Sequence, residues 1–189
     1  MFTSTSNDPA IVVTEIDPEN GNGDGNDDGG GNDDGGGGNV TPSDANEVLT
    51  GEVTGQVGQQ YQTKWFSFTV NSLKTDQSYN SITPDEGNTF LIANITITNT
   101  YGSPLPFGTF DWFVDDVTLD DALWPNKPES SNMMPAEFML SDKETATYDV
   151  VIEIPGTKQN PSLKNPAFMY IEVSATGEEL LTFKMPFNY

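Results

Sequence analysis

From residue 48 onward, apolar and polar side chains exchange places at nearly every step, and no segment carries a 3.6-residue period. In Thr89–Asn99, Leu91, Ala93, Ile95 and Ile97 share one face, while Phe90, Ile92, Asn94, Thr96 and Thr98 share the other. Phe66, Phe68 and Val70 alternate with Trp65, Ser67 and Thr69, and Tyr148, Val150, Ile152 and Ile154 alternate with Asp149, Val151 and Glu153. Phe168–Val173 and Leu180–Met185 continue the pattern, with weaker strands near Glu47–Thr54, Asp111–Val114 and Val117–Leu119. A period of two, broken by Gly, Pro, Asn and Asp, specifies antiparallel strands that each bury one side. Roughly seven to nine strands in this length predict an all-β sandwich and not a meander.

The first quarter of the chain is different. Residues 20–38 contain only Asn, Asp and Gly, which cannot build an apolar core and maximise the entropy cost of ordering. Residues 20–47 therefore read as a flexible acidic linker; at about 5–6 Å times the square root of length, the 19-residue tract spans roughly 25 Å. Residues 1–19 form a tail with one β-prone segment, Ala10–Ile16, between Pro9 and Pro18. A short strand on a long leash can pair with a sheet edge in its own domain or in a second copy; the alternative is an unstructured terminus. Residues 48–189 form the folded domain, long enough to bury a core alone.

Charge and missing residue types exclude whole classes of chemistry. The chain has 29 Asp plus Glu, seven lysines, no Arg, His or Cys, and a net charge of −22. Without His or Cys there is no Ser-His-Asp or Cys-His system and no ordinary zinc or iron-sulfur site. A serine-lysine nucleophile fares no better, because no lysine has a serine three residues before it. Without Arg there is no bidentate phosphate clamp. A polyanion of this kind is repelled by nucleic acid, whose binding depends on basic side chains. No apolar run of about 20 residues, the length that a bilayer-spanning helix needs, occurs in the sequence.

Four motifs in order carry a family resemblance. Gly55-Gln-Val-Gly58 leads into Trp65–Leu73; Gly87 opens an apolar strand that ends in Thr98-Asn99; Phe110-Asp-Trp-Phe-Val-Asp-Asp116 follows; and Pro135-Ala-Glu-Phe-Met-Leu140 precedes Val150-Val-Ile-Glu-Ile-Pro155. The stretch from about residue 50 to the end resembles the immunoglobulin-like domain of unknown function found in Gram-positive surface lipoproteins, akin to a mycobacterial secreted-antigen sandwich. The resemblance implies an immunoglobulin-like antiparallel β-sandwich, a non-catalytic role, and a location outside the cell, either anchored at the surface or secreted. It also implies a lipidated cysteine ahead of the tether, outside this sequence. The sequence departs from the family after Leu140, where Ser141-Asp142-Lys143 stands in place of a Pro-Gly turn.

Two groups of residues are candidate sites. Asp111, Asp115, Asp116, Asp120 and Asp121 place five carboxylates within eleven residues. Like charges this dense either face open water or share a cation, for which calcium is the candidate. A glycosidase pair would need carboxyls about 5–5.5 or 6.5–9.5 Å apart, a separation that sequence does not supply. In the linker, Asp24-x-Asn26-x-Asp28-Gly29 matches the first half of a calcium loop, but the closing position holds Gly35 instead of Glu. Trp65, Trp112 and Trp124 are the candidate ligand contacts, since exposed aromatics stack on sugar rings or partner side chains; the alternative for Trp65 or Trp112 is the sandwich core. The expected role is a surface binding or structural module that requires no cofactor, with a protein or a glycan as partner. The rival readings are a filament or adhesin subunit that self-associates through Ala10–Ile16, and a carbohydrate- or cell-wall-binding module.

Overall fold

The computed structural model describes residues 48–189; the tail segment Ala10–Ile16, the linker at 20–47 and the partial calcium loop from Asp24 lie outside the described residues. Ten strands follow in chain order: β1 Gly51–Thr54, β2 Gln60–Gln62, β3 Phe66–Asp76, β4 Asn88–Asn99, β5 Leu105–Phe107, β6 Trp112–Asp115, β7 Phe138–Leu140, β8 Thr145–Pro155, β9 Ala167–Val173 and β10 Glu179–Pro186. They form two four-stranded sheets, β1-β10-β9-β6 and β2-β3-β4-β8, with a small β5-β7 ribbon. Every pairing between these strands is antiparallel except β1 with β10, which is parallel.

The parallel pair arises because the chain changes sheets at its start. Val48 bridges Gln62 of β2, and the Leu49 N–H donates to the Gln62 carbonyl at 2.8 Å. Two residues later β1 lies on β10 of the opposite sheet. Gly51, at φ +71°, makes that crossing in the left-handed region glycine tolerates best. The sandwich keeps β2, β3 and β4, three successive strands, in one sheet. In the immunoglobulin constant-type order no three successive strands share a sheet. The likeness to that fold therefore lies in two stacked sheets and not in strand order.

Between the sheets lies an aromatic core. Phe68 meets Phe183 at 4.9 Å and Trp112 at 5.2 Å, both edge-on, and Trp112 stacks on Phe168 at 5.6 Å with an interplanar angle of 2°. Leu91, Ala93, Ile95 and Ile97 of β4 enter this core, as their shared face requires. Gly55 follows β1 where a Cβ would stand 2.2 Å from the Phe183 ring, so the lead-in glycine makes room for an aromatic side chain.

The other side of the β2-β3-β4-β8 sheet has two parts. Phe90 and Ile92 pack with Val151 and Met133 in a second, smaller cluster under Tyr79 and Ile82. Further along, two cross-strand rows, Gln60-Thr69-Thr96-Thr147 and Gln62-Ser67-Thr98-Thr145, form a polar face.

Differences from the sequence reading have local causes. Val117–Leu119 is a turn and not a strand, because Asp116 accepts the Thr118 N–H and hydroxyl and closes the chain on itself. The turn after Leu140 is closed by the Ser141 N–H donating to Glu144 Oε2 at 2.8 Å, with Lys143 at φ +63° in the place a glycine would fill. Asn99, fully buried at the end of β4, donates to the carbonyls of Ser103 at 2.7 Å and Leu140 at 2.9 Å and accepts the Tyr101 N–H at 2.9 Å. The Asn that ends the strand is thus a structural clamp.

Candidate functional site

The five aspartates do not converge. Asp111 Oδ2 accepts the Gly108 N–H at 2.9 Å and closes the short 3₁₀ turn Thr109–Asp111 ahead of β6. Asp115 is exposed and holds the Asp116 N–H through Oδ1 at 2.8 Å; Asp120 and Asp121 are exposed. Asp116 is only 5% exposed, and both of its oxygens are occupied. Oδ1 accepts the Thr118 hydroxyl and, at 2.9 Å, its N–H, while Oδ2 accepts the N–H groups of Lys164 at 3.1 Å and Asn165 at 2.5 Å. Burial pushes this carboxyl up, but the donors from Thr118, Asn165 and Lys164 outweigh burial and hold it below the usual aspartate range. Among the described residues no three Asp or Glu side chains come together as metal ligands. The aspartates expected to share a cation, Asp111, Asp115, Asp116, Asp120 and Asp121, are thus not brought together around one point. Mutual repulsion is relieved because all of them but Asp116 are exposed to solvent, and Asp111, Asp115 and Asp116 each spend an oxygen on backbone donors.

The three tryptophans divide. Trp112 is 1% exposed in the centre of the core, the second of the two placements open to it, and there it offers no face to a ligand. Its outward-pointing neighbour on β6, Phe113, supports Trp124, which is 55% exposed with its ring 5.3 Å from that of Phe113. Trp65 precedes β3 in a turn in which Thr63 Oγ1 accepts the N–H groups of Trp65 and Phe66, each at 3.1 Å. That turn swings Trp65 out of the β3 alternation, so it packs half-buried against the edge of the core and not on the polar face opposite Phe66. Its ring meets the exposed Tyr101 at 4.9 Å, and Lys64 Nζ lies 4.9 Å from its centroid.

Beside Trp65 is a residue that charge density along the chain does not single out. Glu172 of β9 is 6% exposed, and its Oε2 has no hydrogen-bond partner. Burial pushes its carboxyl up; side-chain donors from Trp65 and Thr63 and the Lys64 charge oppose this and do not cancel it. Tyr170, on the same face of β9, has its hydroxyl driven far above the ordinary range by burial first and then by the charges of Glu172 and Asp111. The signal was in the sequence: Phe168, Tyr170 and Glu172 share one strand face, so the alternation that buries the first two also carries the carboxylate inward.

Trp65, Tyr101 and Lys64 thus form a small aromatic surface with one cation at the rim and one buried carboxylate behind it. Such a surface can hold a flat or hydroxylated partner by stacking and hydrogen bonding. It contains no nucleophile-base pair.

Comparison with known proteins agrees with the architecture. The domain of unknown function DUF4352 matches residues 55–116, less than half of the chain, from the glycine under Phe183 to Asp116. No curated protein matches the sequence. Among solved structures, a Bacillus subtilis protein described as a lipoprotein, YcdA, is 12% identical with a TM-score of 0.51, the match covering 67% of this chain. The B. subtilis YjhA protein is 14% identical with a TM-score of 0.47, over 68% of this chain and 97% of that one. The secreted Mycobacterium tuberculosis protein MPT63 is 12% identical with a TM-score of 0.47, over 70% and 97%. The chain spans 38% of the length of YcdA. What this chain shares with YcdA is an all-β sandwich fold.

Proposed function

We propose that this chain is a non-catalytic module of the bacterial cell surface, anchored or secreted, with a binding or structural role and with its sandwich presented on the acidic linker of residues 20–47. The observation that carries this reading is the sandwich itself, a fold shared with a protein described as a lipoprotein. Its inner faces are filled by an aromatic core, and Asp111, Asp115 and Asp116 serve backbone donors instead of a substrate. An immunoglobulin-like surface domain fits this two-sheet stacking. Protease shaving of intact cells that carry the full chain with a C-terminal tag tests the reading. Loss of the tag without lysis, or its recovery from the medium, is expected; a tag that survives until the cells are broken overturns it.

A second reading is favoured by the outer edge of β1, which among the described residues pairs with β10 alone. Ala10–Ile16 of another copy would add a strand there and link copies head to tail. Sedimentation of the full chain and of a chain lacking residues 1–19 tests it, with a concentration-dependent assembly lost on deletion as the expected result.

A further inference from the structure

The two hydroxyl and amide rows on the outer face of the β2-β3-β4-β8 sheet hold no charge and no large apolar group; Ser67 among them is buried, and the next row on the same face ends at the Asp149 carboxylate. Residues 48–189 as a whole carry 18 acidic side chains and seven lysines. Neighbours in the rows are tied together: the hydroxyls of Thr96 and Thr147 lie 2.8 Å apart, as do those of Thr98 and Thr145, and Asn71 Nδ2 donates to Thr96 Oγ1 at 2.9 Å. We propose that this face binds an uncharged polysaccharide chain laid across the four strands. The proposal rests on the cell-surface reading and adds to it the class of ligand.

Charge, size and chemistry each narrow the occupant. A domain this acidic repels polyanions over most of its surface, and a neutral polyol meets no such repulsion here. Three strand spacings of about 4.8 Å give a strip roughly 14 Å across, and the step between the two rows adds only about 7 Å. A stable protein partner, a second copy included, needs about 800 Å² on each side, so the occupant is thin. A hydroxyl has one donor and two acceptor sites, so a bond to a neighbouring threonine leaves capacity for a sugar hydroxyl. Threonine is stiff at χ1 and these side chains are already held by their neighbours, so little rotamer freedom is lost on binding. No aromatic ring joins the rows, so affinity per sugar is low and retention grows with the number of units engaged on an insoluble fibre.

The test is depletion of the full chain from solution by cellulose, chitin and cross-linked dextran, with soluble polygalacturonate as the acidic competitor. At least one neutral polymer is expected to retain the protein, and polygalacturonate should not displace it. The double substitution Thr96→Val with Thr147→Val and, separately, Thr147→Lys are each expected to lower retention about tenfold while the thermal midpoint stays near that of the parent chain. Retention by none of the three polymers overturns the proposal, as does parental retention in both variants. A chain accessible to surface proteolysis that binds no neutral polymer removes this inference alone. Binding by a chain never exposed to protease removes the surface reading alone.

Discussion

The Asp116 carboxylate accepts the Asn165 N–H at 2.5 Å and thereby joins the turn after β6 to the loop before β9. Both of its oxygens are acceptors for donors that cannot reverse, so Asp116→Asn sets an amide against backbone N–H groups whichever way it turns. We expect a loss of about 2–3 kcal/mol at pH 7, read from urea unfolding. The folded carboxyl lies below its usual range. Its contribution is therefore present above the unfolded value and lost as pH falls through the folded one, so the gap between parent and variant should close below about pH 4. A gap unchanged at pH 3 would refute this.

Glu172 has the opposite sign. Its folded carboxyl is pushed up by burial, so at pH values between the unfolded and the folded value the native state keeps a proton that the unfolded chain has released. The stability linked to that proton is complete below the unfolded value, about 4.3, and is lost as pH rises through the folded value. Glu172→Gln is expected to gain about 1 kcal/mol at pH 8 and nothing at pH 4. Parallel stability curves across that range would show that Oε2 is solvated.

Gly55 stands where a Cβ meets the Phe183 ring at 2.2 Å, a contact that only movement in the core can relieve. Gly55→Ala should destabilise by about 1–3 kcal/mol, whereas Gly58→Ala meets no atom within 4 Å and is limited to the strain of its φ of +81°. If Phe183→Leu is made alongside, the Gly55→Ala cost should shrink. A cost independent of the residue at 183 would place its origin in the backbone.

The tryptophans are distinguishable by acrylamide quenching of single-substitution variants. Trp124→Phe should remove the most quenchable fluorescence and shift stability by less than about 0.5 kcal/mol, given its exposure. Trp112→Ala, which leaves a hole in the aromatic core, should cost about 3–5 kcal/mol. Equal quenching of Trp112 and Trp124 would contradict the burial described.

Alternation made the long strands legible: β3, β4, β8, β9 and β10 were each expected within a few residues of their observed bounds, because one buried side fixes which residues point inward. The three-residue strands β2, β5 and β7 are too short to show a period, and the Thr63 turn that redirects Trp65 depends on a hydroxyl that sequence patterning ignores. Phe90 and Ile92 carried a second apolar face whose cover comes from the distant residues Met133 and Tyr79, which no local pattern reveals. At the site, density of charge along the chain suggested a cation. Pairing in space is not visible in that density, because Asp116 finds its donors at positions 164 and 165, some fifty residues away in sequence. Glu172 was readable in principle, as the third member of an inward face.

The Gly51 crossing has a mechanical corollary. Because β1 and β10 run side by side in the same direction, tension between the chain preceding β1 and the chain following β10 slides one strand along the other. All the rungs from Gly51–Leu181 to Thr54–Lys184 resist together, along with the Gly55 N–H bond to the Lys184 carbonyl, instead of peeling away singly as they would in a hairpin. A domain stretched by its two ends would therefore yield late and abruptly.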